Sequence, residues 1–185
     1  MNKRFVMYGV ITIVIGFFIY AGACKLMGYP VFDKNRNANY VRPVYSGHEG
    51  ELLPSIDLLM LDSITHMNIA DIPGGKSTLL FYFGPYCPYC QAEIEGIIKN
   101  IASLKHIQIY LITSYSITEM KAFYERFKLA GYSNIKIGND YEFQFARYFK
   151  TQIIPCNAIY NKKRRLNSVY LGFIRHDQIE AVSND

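Results

Sequence analysis

The clearest chemical feature of the sequence is a pair of cysteines two residues apart, Cys87-Pro88-Tyr89-Cys90. The pair follows an apolar run that predicts a buried strand, and it opens a stretch that predicts a helix. The free N–H groups and the positive end of the dipole at a helix N-terminus stabilise a thiolate, the reactive form of cysteine. We therefore predict that Cys87 is the nucleophile of a redox pair. Cys90, one turn further along the helix, would resolve it.

This spacing also favours reversible chemistry. Cys87 and Cys90 share one helix face, so their sulfurs can close a small disulfide, and Pro88 fits the first helical turn. Zinc is an alternative for such a pair, but it needs further ligands at a suitable spacing. Outside residues 5–24 only Cys156 and four scattered histidines remain, so we predict no metal and no bound cofactor. A purely structural disulfide is the other alternative, yet so short a bridge adds little loop entropy.

The elements around the pair alternate between strand and helix. Predicted strands lie at residues 56–61, 79–83, 107–112, 135–137, 158–160 and 169–173. Predicted helices lie at residues 88–102, 141–149 and 176–182, with one more that Ser116 or Thr118 caps and that ends near Leu129. This order predicts an α/β fold in which helices connect parallel central strands and the last two strands form an antiparallel hairpin.

The N-terminal region predicts a membrane segment. Residues 5–24 carry no charge and would span roughly 30 Å as a helix, the thickness of a bilayer core. Two interpretations remain open. The segment is either an uncleaved signal anchor or a lipoprotein signal with Cys24 as the lipidated residue, because residues 21–24 resemble a bacterial lipobox. A buried helix of a soluble domain is the third, weaker alternative.

Composition sets the remaining limits. Residues 25–50 show no sustained apolar period, which predicts a linker between the membrane segment, residues 1–24, and a folded domain at residues 51–185. Hydrophobic residues make up 50% of the chain and charged residues 19%, which excludes a wholly disordered protein. The 20 Lys and Arg exceed the 15 Asp and Glu by only five. Since this excess is spread along the chain, we expect no nucleic-acid partner.

Residues 81–97, FYFGPYCPYCQAEIEGI, resemble the active-site segment of thioredoxin-like proteins. The likeness is greatest to the membrane-anchored TlpA/ResA-type thiol-disulfide oxidoreductases. Tyr86 stands where that family usually has Trp, and Glu93 matches its acidic position. The resemblance extends over residues 51–182. It implies a thioredoxin-like fold, a central mixed sheet flanked by helices, preceded here by one N-terminal transmembrane or signal helix.

The same resemblance assigns expected roles to further residues. Ile154-Pro155 resembles the family's cis-proline, whose loop lies against the cysteine pair and offers backbone groups to a bound partner. Glu93 is then either a partly buried acid that shuttles the proton of Cys90 or a solvated helix carboxylate. Cys156 is either a third redox partner or a buried free thiol. The predicted docking residues are Tyr86, Pro88, Tyr89, Pro155 and Cys156.

The predicted function is a membrane-tethered oxidoreductase that exchanges electrons with protein thiols or disulfides. A membrane electron donor is a further candidate partner. The Lys and Arg residues after the apolar segment argue against an outside domain by the positive-inside rule. The thiol chemistry nevertheless favours an extracytoplasmic one, periplasmic or on the cell surface of a bacterium. Two alternatives stay open: a non-enzymatic thioredoxin-like binding or thiol-metal chaperone module, and a glutaredoxin-like protein, since Pro-Tyr between the cysteines is common in glutaredoxins.

Overall fold

The computed structural model of the protein describes residues 40–184. The strands are β1 (Asp57–Leu59), β2 (His66–Asn68), β3 (Ser77–Tyr82), β4 (Ile107–Thr113), β5 (Ile135–Asn139), β6 (Cys156–Tyr160) and β7 (Leu166–Leu171). The α-helices are α1 (Pro88–Lys99), α2 (Ile117–Arg126), α3 (Gln144–Tyr148) and α4 (His176–Ser183), and short 3-10 turns lie at Ile69–Asp71 and Leu129–Gly131.

The strands form one seven-stranded mixed sheet in the order β2-β1-β5-β4-β3-β6-β7. The central strands β3, β4 and β5 are parallel, whereas β6 is antiparallel to β3 and β7 is antiparallel to β6. Helix α1 connects β3 to β4 and α2 connects β4 to β5. The predicted architecture, parallel central strands with a final hairpin, is therefore confirmed.

Strand β3 lies inside the sheet between β4 and β6, and all its residues are buried. Helices or loops cover both faces of β3, so neither face is exposed to solvent. This explains why the residues of the strand from Leu79 onward form an uninterrupted apolar run. Alternate residues serve two separate cores. Leu79 and Phe81 pack on the face that α1, α2 and α4 cover, here called the α1 face. Leu80 and Tyr82 pack on the opposite face, here called the α3 face, with α3 and residues 53–72.

Several elements differ in their bounds from the sequence predictions, for example β1 and β7, and two differences have a clear physical reason. Strand β2 was not predicted, because its three residues contain no apolar run and form a strand only through pairing with β1. Helix α3 is shorter than the predicted helix at residues 141–149. Phe143 adopts the left-handed conformation with φ of +56°, and the Asp140 carboxylate accepts hydrogen bonds from the backbone N–H groups of Gln144 and Phe145. These contacts start the helix at Gln144.

The compact unit begins at Tyr40 rather than near Glu51, which corrects the predicted linker at residues 25–50. Val44 pairs with Val169 across the edge of β7, and the Gln178 side chain donates to the Val41 carbonyl oxygen at 2.6 Å. No local pattern indicates that residues 40–50 pack on the domain, because these contacts join residues far apart in the chain. The predicted membrane segment and Cys24 lie outside the described residues, and no helix within residues 40–184 has the length and hydrophobicity needed to cross a membrane.

Candidate functional site

Cys87 caps the N-terminus of α1, directly after the loop that leaves β3. Its Sγ accepts a hydrogen bond from the backbone N–H of Cys90 at 3.4 Å, and Pro88 is the first residue of the helix. Cys87 is partly exposed, while Cys90 has no exposed surface. Both are free thiols. The structure thus brings the pair together with one sulfur accessible to a partner and the other beneath it.

The surroundings of Cys90 favour its neutral thiol. Burial raises the pKa of Cys90 well above its ordinary value, and a hydrogen bond with Cys87 raises it further. The negative charge of Glu93 acts in the same direction. Since only a thiolate attacks a disulfide, Cys90 must lose its proton to a neighbouring group before it can resolve a mixed disulfide.

Glu93 is the acid placed to receive such a proton. Its side chain lies on the inner face of α1 with 1% of its surface exposed, which is inconsistent with a solvated helix carboxylate. Its Oε2 accepts from the backbone N–H of Ile174 at 3.2 Å, whereas its Oε1 has no hydrogen-bond partner among the described residues. Burial raises the pKa of Glu93 well above its usual range, so the carboxyl group holds a proton far more tightly than an exposed glutamate.

Asn157 completes this buried polar group. The Asn157 side chain lies close enough to Glu93 to oppose the rise in the pKa of that acid. Its Nδ2 lies 3.4 Å from the Gly172 carbonyl oxygen, and its Oδ1 has no partner within residues 40–184. A protonated Glu93 can donate to an amide oxygen, whereas an ionised one cannot. Asn157 was not predicted from the sequence. Once β6 is known, the alternation of side chains along a strand places Asn157 on the face of the sheet that carries the CxxC helix.

The loop before β6 faces the cysteine pair, as the family resemblance implies. The Ile154–Pro155 peptide bond is cis. The Cys87 thiol points to the Ile154 carbonyl oxygen at 3.9 Å, and the Pro155 carbonyl oxygen accepts from Gly172 N–H at 2.8 Å. Pro155 itself is buried. The backbone of this loop is therefore the part that a molecule bound at Cys87 would meet.

Cys156 does not belong to this site. Its side chain is fully buried and packs on the α3 face beside Tyr82, its register partner in β3. Successive residues of a strand point to opposite faces, so Asn157 faces Glu93 and Cys156 cannot. Burial raises the pKa of the Cys156 thiol to about 12. The expectation of a third redox partner or docking residue is corrected accordingly, and the alternative of a buried free thiol describes Cys156.

Exposed residues surround Cys87 on its open side. Tyr86 and Tyr89 are 69% and 68% exposed, and Pro88 between the cysteines is also exposed. The nearby Glu119 carboxylate of α2 raises the pKa of Tyr86, and the Tyr86 ring contacts the Tyr115 ring edge-on at a centroid distance of 6.0 Å. Exposed aromatic side chains beside an accessible thiol are suited to contact a protein partner.

Gly84 is a positioning residue that the sequence analysis did not single out. A Cβ atom at this position would lie 2.7 Å from Cδ1 of Ile154 and 3.3 Å from the Tyr115 ring. A side chain at this position would displace the end of the Ile154 side chain and crowd the Tyr115 ring. Glycine therefore keeps the present packing of these two side chains against the loop that leads to Cys87.

The site can be compared with known proteins. No protein-family model matches this sequence, and no curated protein matches it at significant similarity. Solved structures do match its fold. A secreted disulfide oxidoreductase of Mycobacterium tuberculosis, described as homologous to E. coli DsbE, has a TM-score of 0.58 and 17% identity, with 69% of this chain and 93% of that chain covered. The fold is therefore thioredoxin-like.

Two further structures agree. The thioredoxin domain of a thiol-disulfide oxidoreductase from Bacteroides vulgatus has a TM-score of 0.56 and 18% identity, with 72% of this chain and 93% of that chain covered. StoA from Bacillus subtilis has a TM-score of 0.53 and 14% identity, with coverage of 71% and 97%. Identities this low establish the fold, and the chemistry must be argued from the site itself.

Proposed function

We propose that this protein is a thiol-disulfide oxidoreductase whose Cys87 and Cys90 exchange electrons with partner proteins. The observation that carries the proposal is the arrangement of the pair. Cys87 is accessible at a helix N-terminus, Cys90 is buried one turn away, and the buried acid Glu93 lies beside Cys90. A purely structural pair needs neither an accessible sulfur nor a buried acid.

The reaction proceeds in two balanced steps when the dithiol form meets a partner disulfide. The Cys87 thiolate attacks one partner sulfur and forms a mixed disulfide with it, while the partner S–S bond breaks and the other partner sulfur leaves as a thiolate. Cys90 then attacks Cys87 Sγ, the mixed disulfide breaks, and the second partner thiolate leaves. Two electrons pass to the partner, and the protein retains a Cys87–Cys90 disulfide. The same steps in reverse oxidise a partner dithiol.

Glu93 serves the second step in this proposal. Cys90 must be deprotonated when it attacks, and it is too deeply buried for bulk water to reach it directly. An ionised Glu93 accepts this proton and becomes neutral. The raised pKa of Glu93 favours this transfer, because it makes the ionised carboxylate a stronger base than an exposed glutamate.

The proposal includes a membrane tether and an extracytoplasmic domain. Its support is the uncharged segment at residues 5–24 and the need of a dithiol carrier for partners that hold disulfides, which persist outside the cytoplasm. A membrane-impermeant thiol reagent applied to intact cells should label Cys87. Labelling that occurs only after lysis would overturn this placement.

The exchange itself is tested with the full chain and a purified disulfide-bonded peptide. Reduced Cys90→Ser should form a covalent adduct with the peptide on Cys87, visible by mass spectrometry and lost on reduction. The wild type should instead release the reduced peptide and end as the Cys87–Cys90 disulfide, while Cys87→Ser/Cys90→Ser, the matched control, should form no adduct. Absence of any adduct together with tight metal binding would favour the thiol-metal chaperone.

The redox potential gives a second test. The reduction potentials of glutaredoxins are about −200 to −230 mV, and that of thioredoxin is about −270 mV. The Pro-Tyr dipeptide together with the thioredoxin-like fold leads us to expect a value between about −270 and −200 mV. A potential below about −300 mV is typical of structural disulfides and would contradict electron exchange by this pair.

A further inference from the structure

A groove opens beside the redox pair on the α3 side of the molecule. Its volume is about 930 Å³, within the range of protein ligand sites. The loop after β4, the start of α2, helix α3 and the loop before β6 form its walls. Ile154 belongs to the last of these walls, and its carbonyl oxygen lies 3.9 Å from Cys87 Sγ. A chain bound through its sulfur to Cys87 can therefore continue into this groove.

Positive side chains outnumber negative ones in the lining of the groove. Arg147 and Lys150 line it, both are exposed, and neither forms a salt bridge among the described residues. The one acid in the lining, Glu119, already accepts hydrogen bonds from Ser116 N–H at 2.9 Å and Ser116 Oγ at 2.7 Å. The bonds from Ser116, and to a lesser degree the nearby Tyr86 hydroxyl, hold the pKa of Glu119 below its usual range. The negative charge is thus engaged, while the two cations have no salt-bridge partner among the described residues, although the charge of Arg147 also stabilises the buried carboxylate of Asp140.

Exposed aromatic rings line the same groove. Tyr115 is 40% exposed and Phe143 is 55% exposed. Phe143 and Lys150, which flank α3, both adopt the left-handed conformation, with φ of +56° and +49°. Bulky residues rarely occupy this region of backbone conformation. At Phe143 this conformation accompanies an aromatic side chain held in solvent.

We propose that this groove binds the polypeptide segment next to the partner's reactive cysteine, and that it selects segments that carry an acidic side chain. The acid of the partner contacts Arg147 and Lys150, and apolar side chains of the partner contact Tyr115 and Phe143. The inference rests on the proposed exchange reaction and adds its substrate class. We assign the groove to a protein segment because its aromatic rings and two cations together line a larger surface than a single anionic group could contact.

The test compares two synthetic peptides with one internal disulfide each, identical except that two positions beside a cysteine carry Asp in one and Lys in the other. The reduced full chain is mixed with each peptide, and the rate of peptide reduction is measured. We expect the acidic peptide to react about three- to tenfold faster at low salt. The preference should shrink as ionic strength rises, because salt screens exposed charges.

Two double variants test whether the cations of the groove cause the preference for the acidic peptide. Arg147→Gln/Lys150→Gln should reduce the two peptides at nearly equal rates while still exchanging with both. The control Arg42→Gln/Lys105→Gln removes the same charge from exposed positions outside the groove and should keep the preference. Loss of the preference in the control alone would overturn the proposal.

The outcomes also separate this inference from the proposed function. Equal rates for both peptides with the wild type would overturn the groove proposal and leave the exchange reaction standing. Failure to reduce either peptide would instead contradict the exchange reaction. Faster turnover of glutathione disulfide than of both peptides would also overturn the groove proposal, because a small anionic disulfide and not a protein segment would then be the preferred substrate.

Discussion

Cys90 and Cys156 are both free thiols without exposed surface, and they lie on opposite faces of the same sheet. Cys90 lies on the α1 face below an accessible sulfur and near a buried acid. Cys156 lies on the α3 face among apolar side chains. Burial raises the pKa of both thiols, so burial does not distinguish them. What distinguishes Cys90 is a route for electrons through Cys87 and a route for its proton through Glu93.

The same contrast holds for buried oxygen atoms. On the α1 face, Glu93 Oε1 and Asn157 Oδ1 have no partner among residues 40–184. On the α3 face, the hydroxyl of fully buried Tyr160 also has none. An unpaired buried polar atom destabilises a protein wherever it lies. Only on the α1 face is such an atom next to the redox pair, where it can take part in proton transfer.

Serine substitutions of the cysteines test this contrast with the largest expected effect. Cys87→Ser should lower the rate of peptide-disulfide reduction to the uncatalysed rate, because a hydroxyl cannot replace the attacking thiolate. Cys156→Ser should keep the wild-type rate and lower the free energy of unfolding by about 1–3 kcal/mol, since it places a hydroxyl in an apolar cluster. The readouts are thiol release and urea unfolding. A large loss of rate in folded Cys156→Ser would remove the distinction between the two faces.

The second prediction concerns Glu93→Gln, with exposed Glu95→Gln on the same helix as the control. Removal of the proton acceptor should slow the attack of Cys90 on the mixed disulfide by about 10²-fold, measured by rapid mixing and acid quench. The control should keep the wild-type rate. An unchanged rate in Glu93→Gln would contradict the proton-transfer role.

The same variant should gain stability in a pH-dependent way. The pKa of Glu93 is raised in the folded state, so unfolding releases a proton at pH values between the unfolded and folded pKa. The free energy of unfolding of the wild type therefore falls as pH rises through that range. In the dithiol form Glu93→Gln should be more stable by about 1–3 kcal/mol near pH 8 and equal near about pH 4. A difference that does not vary with pH would contradict this account.

The smallest expected effect concerns the α3 face. Tyr160→Phe removes a hydroxyl that has no partner and should raise the free energy of unfolding by up to about 1 kcal/mol without a change in exchange rate. Tyr82→Phe is the matched comparison. Its hydroxyl bonds to Ser114 Oγ at 2.6 Å, so its loss should lower stability by about 1 kcal/mol. Urea unfolding of both variants measures the difference, and destabilisation by Tyr160→Phe would show that this hydroxyl is satisfied.

Much of the fold could be predicted because runs of apolar residues in the sequence correspond to strands that are buried in the sheet. The run before Cys87 is apolar because β3 is buried on both faces, and β4 is mostly apolar for the same reason. Strand β2 could not be predicted, because its three residues have no pattern of their own. The packing of residues 40–50 was missed for a related reason. Its contacts to β7 and α4 join residues more than a hundred positions apart.

The sequence by itself determined the CxxC pair, its place at the start of a helix and, through the family resemblance, the cis-proline loop. These depend on short motifs whose geometry is local. The tertiary structure alone decided that Glu93 is buried, that Asn157 lies beside it and that Cys156 faces the other way. It also decided that Arg147 and Lys150 line a groove next to Cys87. Each of these features depends on the face of a strand or helix to which the side chain belongs and on the element packed against that face. Strands far apart in the chain determine this only when they pair in a particular register.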